Sequence, residues 1–226
     1  MKNKIIYTVL LLSSTITFSQ IDNLTMFING VMVEVKPPSI DDVLKKDNLA
    51  LRKTLHLIYL TPSFQNAQID NNKKNYQLRY NIYQDEMEFI RDGKTYYTYK
   101  EENQIINFID LKKVFKILKY KETLNYYQIK IEGKYSLYTK LNVQFNQGRP
   151  PKNNFEINIP ASYVKKEDKI FVSFNNNELI KLPKKKKGFY KIFGSESNQV
   201  KKFMKSNKLD RKKTEDLIIL FKHLNS

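Results

Sequence analysis

The stretch YQLRYNIYQDEMEFIRDGKTYYTYK, from Tyr76 to Lys100, decides the fold. Apolar and polar residues alternate through most of it, and Gln84-Asp85 and Arg91-Asp92-Gly93 interrupt the alternation. A period of two, broken by turn residues, predicts three consecutive antiparallel strands. In the first, Tyr76, Leu78, Tyr80 and Ile82 share one face while Gln77, Arg79 and Asn81 share the other. The second puts Met87 and Phe89 inward and Glu86 and Glu88 outward. The expectation is a sheet with one buried face and one charged, solvated face.

Toward the C-terminus the same style continues. Ile105 to Ile109, Val114 to Tyr120, Tyr126 to Ile131 and the long run Tyr135 to Phe145 read as further strands, giving a meander of up to seven. The loop Asn146 to Ile159 carries Gly148-Arg149-Pro150-Pro151, whose prolines argue against a central strand. Strand character resumes over Ser162 to Lys166 and Lys169 to Phe174, and Asn175-Asn176-Asn177 turns the chain into Glu178 to Leu182. From Pro183 the period changes. Phe189, Tyr190, Ile192 and Phe193 before Gly194 suggest a short helix ended by glycine, and Ser195, followed by Glu196, reads as the cap of a segment in which Val200, Phe203 and Met204 have helical spacing. Leu217, Ile218, Leu220, Phe221 and Leu224 form a wide apolar face after Asp210, which is read as a cap. The fold class is therefore α+β: an antiparallel meander, open or curled, with a C-terminal module of two or three short helices.

Toward the N-terminus the signals are mixed. Gln65 to Asn75 is rich in Asn and Lys and reads as an exposed connection. Leu49 to Leu60 is apolar enough to be buried, but its period does not choose between helix and strand. Asn29-Gly30 between Met26-Phe27-Ile28 and Val31 to Val35 is a two-residue hairpin signal. Lys2 and Lys4, then Ile5, Ile6 and Val9 to Leu12, then Thr17 and Ser19 at minus three and minus one, have the pattern of an export signal cleaved after Ser19. The expected organisation is a signal segment over 1–19, a hairpin and connecting segment over 20–75, a β domain over 76–182 and a basic helical module over 183–226.

Composition narrows the chemistry. The chain has no cysteine, so disulfides, thiol catalysis and cysteine-based zinc sites are excluded. No window after the signal segment approaches the roughly 18 apolar residues of a spanning helix. The 226 residues carry a formal charge of +17, nearly all of it from Lys, with only five Arg. Specific phosphate recognition favours Arg, and Lys together with abundant Asn and Ile is what an AT-rich genome supplies. Export also argues against a nucleic-acid partner.

The sharpest charge run is Lys184-Lys185-Lys186-Lys187. Lys184 to Ser226 holds 13 Lys or Arg against four Asp or Glu, so the helical module carries most of the excess. Lysines near an anionic surface contribute about 1 kcal/mol each to binding. Four cations at a helix N-terminus also oppose its dipole, which counts against a purely structural role. Other candidates are weaker. Asp85, Glu86, Glu88 and Asp92 cluster, and a glycosidase needs two carboxylates at a set separation, but a solvated sheet face carries such charges routinely. His56 and His223 lack a partner at metal-ligand spacing. Tyr83 and Tyr97 would serve a stacking face for glycans, although cross-strand packing is the commoner role. No glycine-rich phosphate loop is present, and no cofactor is expected.

TPSF at Thr61 to Phe64, LRYNIYQDEMEF at Leu78 to Phe89, the QGRPP loop at Gln147 to Pro151 and the Lys-rich C-terminus ending TEDLIILFKHLNS resemble a group of exported proteins of Bacteroidota. The resemblance covers Thr61 to Ser226 and implies a bacterial source and a place in the periplasm, at the outer-membrane periphery or outside the cell. It implies no activity. Residues and resemblance together lead to the expectation of a non-enzymatic exported protein. Its partner would be an envelope protein, or an anionic lipid or polysaccharide, held through the sheet face or the basic helices, with Lys184 to Lys187 the contact for an anionic partner. The alternatives are a hydrolase of cell-wall or glycan substrates and a periplasmic immunity or inhibitor protein.

Overall fold

A computed structural model describes residues 49–70, 72–153, 155–175 and 178–226. The signal segment and the hairpin at Asn29-Gly30 lie outside the described residues. Gln65 to Asn75, expected as an exposed connection, instead supplies the first strand, β1 (Gln65–Ile69). Ala67 and Ile69 point into the core, and Asn66 on the other face bonds to both sides: Gln77 Nε2 of the next strand donates to its Oδ1 at 2.5 Å, and its Nδ2 donates to Asp110 Oδ2, in a turn, at 3.1 Å. Amide-rich composition thus marks a laddered strand here rather than a loop.

The three strands expected between Tyr76 and Lys100 follow as β2 (Tyr76–Asn81), β3 (Glu86–Arg91) and β4 (Lys94–Tyr97). They pair in sequence, with Leu78 opposite Phe89 and Tyr80 opposite Met87. The chain then returns to the free edge of β1, where β5 (Ile105–Phe108) pairs antiparallel. From there β6 (Lys113–Tyr120), β7 (Thr123–Ile131) and β8 (Tyr135–Lys140) extend the sheet the other way. The run Tyr135 to Phe145 is not one strand. It leaves the sheet at Leu141-Asn142, and β9 (Val143–Asn146) pairs with β10 (Ser162–Lys165) in a separate two-stranded sheet. Finally β11 (Lys169–Phe174) rejoins along β8, and the two-residue β12 (Ile180–Lys181) closes the edge. The order across the ten-stranded sheet is β12-β11-β8-β7-β6-β5-β1-β2-β3-β4.

The sheet is strongly curled. Strands β2 and β7 are four places apart, about 19 Å in a flat sheet. Yet the Tyr80 ring on β2 lies 5.5 Å from that of Tyr126 on β7 and 5.1 Å from that of Phe115 on β6. Leu78, Tyr80, Met87, Phe89, Phe108 and Phe115 fill the concavity. Beyond β7 the helices cover the sheet instead. They are α2 (Lys186–Lys191), α3 (Ser197–Ser206) and α4 (Thr214–Asn225). Phe189, Val200, Met204, Leu217, Leu220 and Phe221 pack on Leu137 of β8 and Val172 of β11. Asn225 clamps the last turn to β8: its Oδ1 accepts from the Tyr135 N–H at 2.9 Å and its Nδ2 donates to the Tyr135 carbonyl at 2.8 Å. The fold is α+β, as the periodicities predict.

Two local expectations change. Asp210 stands four residues before α4 and organises the loop instead of capping the helix: its Oδ1 accepts from the Lys212 N–H, and its own N–H donates to Asp216 Oδ2. Ser195 falls in a 3-10 turn at Gly194–Glu196, and α3 begins after it. Leu49 to Leu60, undecided in sequence, forms α1 (Leu49–Thr54) and a 3-10 turn (Leu55–Ile58) before a short extended stretch. Ile58 packs with Val143 and Tyr163 of the small sheet.

Candidate anion-binding surface

Lys184 to Lys187 sit where the chain leaves β12 and enters α2. Leu182 is buried in the helical cluster, Pro183 breaks the strand, and Lys185 occupies the N-cap position with Lys186 and Lys187 in the first turn. All four side chains are exposed. Lys184 Nζ meets Glu167 Oε2 at 2.8 Å, but both side chains are mostly in water. The Lys184 hydrogen bond and charge hold the Glu167 carboxyl below its usual range, and Lys212 adds to this from the loop before α4. Arg211 in the same loop donates through Nη2 to the Lys184 carbonyl at 3.4 Å. Cations from two elements therefore converge beside one carboxylate. Further along the module Lys191, Lys201, Lys202, Lys205, Lys208 and Lys213 are exposed as well.

The carboxylates of the β2–β3 turn do not form a paired acid site. Asp85 sits at φ 58° and ties the curl shut. Its Oδ1 accepts from the Tyr80 hydroxyl at 2.6 Å and pairs with Lys140 Nζ of β8 at 2.7 Å, while its Oδ2 accepts from the Tyr126 N–H of β7 at 3.4 Å. Glu86 pairs with Lys100 at 2.9 Å. Burial pushes the Glu86 carboxyl up against the opposing Lys100 charge, and burial pushes the Lys140 ammonium down against the opposing Asp85 charge. Asp92, by contrast, is 88% exposed at its turn.

Glu88 corrects the expected solvated outer face. Its side chain is fully buried, its Oε2 accepts from Arg79 Nη2 at 2.6 Å and Nε at 2.8 Å, and its Oε1 accepts from Asn81 Nδ2 at 3.1 Å. Residues 59–64 run across this face as a strap. The guanidinium of Arg79 lies 4.0 Å from the Tyr59 ring and 4.5 Å from the Phe64 ring, and its Nη1 donates to the Pro62 carbonyl at 3.0 Å. What alternation presents as a polar exterior is an ion pair enclosed by aromatic side chains.

Comparisons with known proteins give no match. No family profile, curated protein or solved structure is similar to this chain above the level of chance. The reading of function rests on residues and geometry alone.

The remaining sequence candidates find packing roles. Tyr97 donates its hydroxyl to Gln84 Oε1 at 2.6 Å, and burial, then the Glu88 and Glu86 charges, push that hydroxyl up to about 12. Tyr83 meets Tyr163 edge-on at 5.1 Å. His223 stacks on Phe203 at 3.8 Å, and His56 is exposed on the 3-10 turn. Among the described residues no group of three or more His, Asp or Glu is placed to hold a metal ion. A cleft of about 1010 Å3 runs over the outer face of β6 to β8, and four of its charges pair within it: Lys116 with Glu132 at 2.8 Å and Lys119 with Glu122 at 2.6 Å. Sequence reasoning missed Lys100 and Lys140, because strands far apart in the chain bring them to Asp85.

Proposed function

We propose that the protein works by binding: an exported protein that holds an anionic envelope partner against its cationic helical module, with Lys184 to Lys187 at the centre of contact. One observation carries this. Four successive ammonium groups stand exposed at the head of a helix, and among the described residues only Glu167, itself exposed, pairs with any of them. A fold selected for stability alone would place anions there, since the helix N-terminus carries positive partial charge. Of the clustered carboxylates, Glu88, Glu86 and Asp85 are engaged by Arg79, Lys100 and Lys140, and Asp92 is exposed to water at its turn, which favours binding over hydrolysis.

The test replaces Lys184, Lys185, Lys186 and Lys187 together by Gln and measures retention on vesicles containing phosphatidylglycerol and on lipopolysaccharide. Retention should fall severalfold at low salt and converge with the parent at high salt, where screening removes the attraction from both. Equal retention of the two proteins at low salt would sink the proposal.

A further inference from the structure

Residues 147–153 and 155–161 lie between β9 and β10, and the turn they make is built rather than collapsed. Arg149 and Ile159 exchange backbone hydrogen bonds at 2.7 and 3.0 Å across its base. Asn153 Oδ1 accepts from the Phe155 and Glu156 N–H groups at 3.0 and 3.1 Å and folds the turn. Pro150, Pro151 and Pro160 fix their own backbone angles on either side. This frame holds Phe155 out at 97% exposure and Ile157, two residues on, at 85%. Phe145, Ile159 and Leu49 are exposed beside it, Ile159 and Leu49 lining one hollow together. Of the eleven exposed large apolar side chains among the described residues, four thus belong to the β9–β10 hairpin and a fifth, Leu49, lines the hollow at its base.

Single exposed apolar residues need no explanation, but a cluster rimmed by charge marks an interaction site. Its shape and charge select the occupant. Phe155 and Ile157 project beside the hollow and do not line it. Such a projecting pair suits the boundary between lipid headgroups and acyl chains, which yields to side chains without a matching cavity. Arg149 and Lys152 flank the apolar pair, and Glu156, the carboxylate in this turn, lies 3.9 Å from Arg149. The net charge of +17 draws the whole chain toward anionic lipid in any orientation. We propose that Phe155 and Ile157 form the point of a membrane-docking tip and sit at the headgroup boundary of an anionic bilayer, with Arg149 and Lys152 against the lipid phosphates. This rests on the anionic-surface reading above and adds a second, apolar point of attachment.

The chain contains no tryptophan, so Phe155→Trp makes a sole reporter at the tip. Vesicles of phosphatidylcholine and phosphatidylglycerol at about two to one supply the anionic surface. The indole emission should shift to the blue on binding and become shielded from aqueous quenchers. The double variant Phe155→Ser with Ile157→Ser should lose about tenfold or more in vesicle affinity, since it removes both apolar side chains that the bilayer would bury. Both positions are exposed, so the variants keep the parent far-ultraviolet circular dichroism. Retention of the parent on vesicles with an unshifted, fully quenchable indole would overturn the tip and leave the lysine run as the contact. Loss of all retention, the parent included, would overturn both readings.

Discussion

Asp85 shows how much one side chain carries when strands from distant parts of the chain meet on it. Its carboxylate is the common partner of Tyr80, Lys140 and the Tyr126 backbone, with Lys100 at 3.8 Å. Removing one member of an enclosed ion pair leaves the other desolvated and uncompensated, which costs about 3–5 kcal/mol when burial is complete. Asp85 and Lys140 retain 15% and 18% exposure, so Asp85→Ala should lower stability by about 2–3 kcal/mol in urea denaturation. A change below about 0.5 kcal/mol, the scale of an ordinary surface substitution, would show that the pair is not what closes the curl. Two glycines give a second residue-scale prediction. Gly148 and Gly93 both sit at φ 72°, but a Cβ on Gly148 would lie 2.3 Å from the Ile159 carbonyl oxygen and 2.6 Å from the Ala161 nitrogen, whereas one on Gly93 meets nothing within 4 Å. Gly148→Ala should therefore open the 147–161 hairpin to protease, and Gly93→Ala should cost only the backbone strain of about 1 kcal/mol. Equal protease sensitivity of the two variants would contradict the close approach.

At the scale of the element, the strap over residues 59–64 explains why Arg79 and Glu88 are enclosed. Arg79→Ala should cost about 3–5 kcal/mol by stranding the Glu88 carboxylate, whereas Arg79→Met combined with Glu88→Leu should cost far less, because apolar replacement of both partners avoids the desolvation of two charges. Urea denaturation of the single and double variants checks this, and a double variant no more stable than Arg79→Ala would refute it. The same element marks the limit of what sequence reveals. Alternation through Tyr76 to Lys100 shows which residues share a face, and β2 to β4 form as it predicts. Alternation cannot show what lies on that face, because the strap comes from 12 or more residues away and carries no pairing signal. β1 escapes notice for a related reason. Five residues with only Ala67 and Ile69 apolar give too short a pattern, and their partner β5 lies some 36 residues further on. Helical period in the C-terminal third is legible because each helix carries its own apolar stripe. In the candidate site, Lys184 to Lys187 is a contiguous run and can be read directly, but the exposure of Phe155 and Ile157 depends on a hairpin whose base pairs Arg149 with Ile159.

At the scale of the whole molecule, tyrosines set the alkaline limit. Burial raises the hydroxyls of Tyr80, Tyr126 and Tyr127 above their ordinary value, and Tyr97 to about 12. In the unfolded chain these groups ionise near pH 10. Above that pH the unfolded state binds fewer protons than the folded one, so stability falls as pH rises. Burial lowers the ammonium groups of Lys130 and Lys140, and their effect has the opposite sign, rising toward pH 10.5. With more tyrosines than lysines involved, and three of the tyrosines fully buried, the net slope is downward. Phenolate absorbance followed beside circular dichroism should show a fraction of the 15 tyrosines ionising only as the fold is lost. Ionisation of every tyrosine near pH 10 with the fold intact would contradict the buried placement. Charge adds a second whole-molecule effect: at +17 the folded state repels itself, and moderate salt should raise the melting temperature.

The sheet order carries one more consequence. β1 has β2 on one side and β5 on the other, so the sheet is laid down outward from β1 in two directions, first to β4 and then, after a return across three strands, to β12. A chain emerging from its N-terminal side can complete β1 to β4 at once, but one flank of β1 stays open until β5 has been made. Closure of that flank is a long-range event, and long-range pairing is slow. The delay exposes a strand edge, and an exposed edge pairs with any other strand that reaches it first.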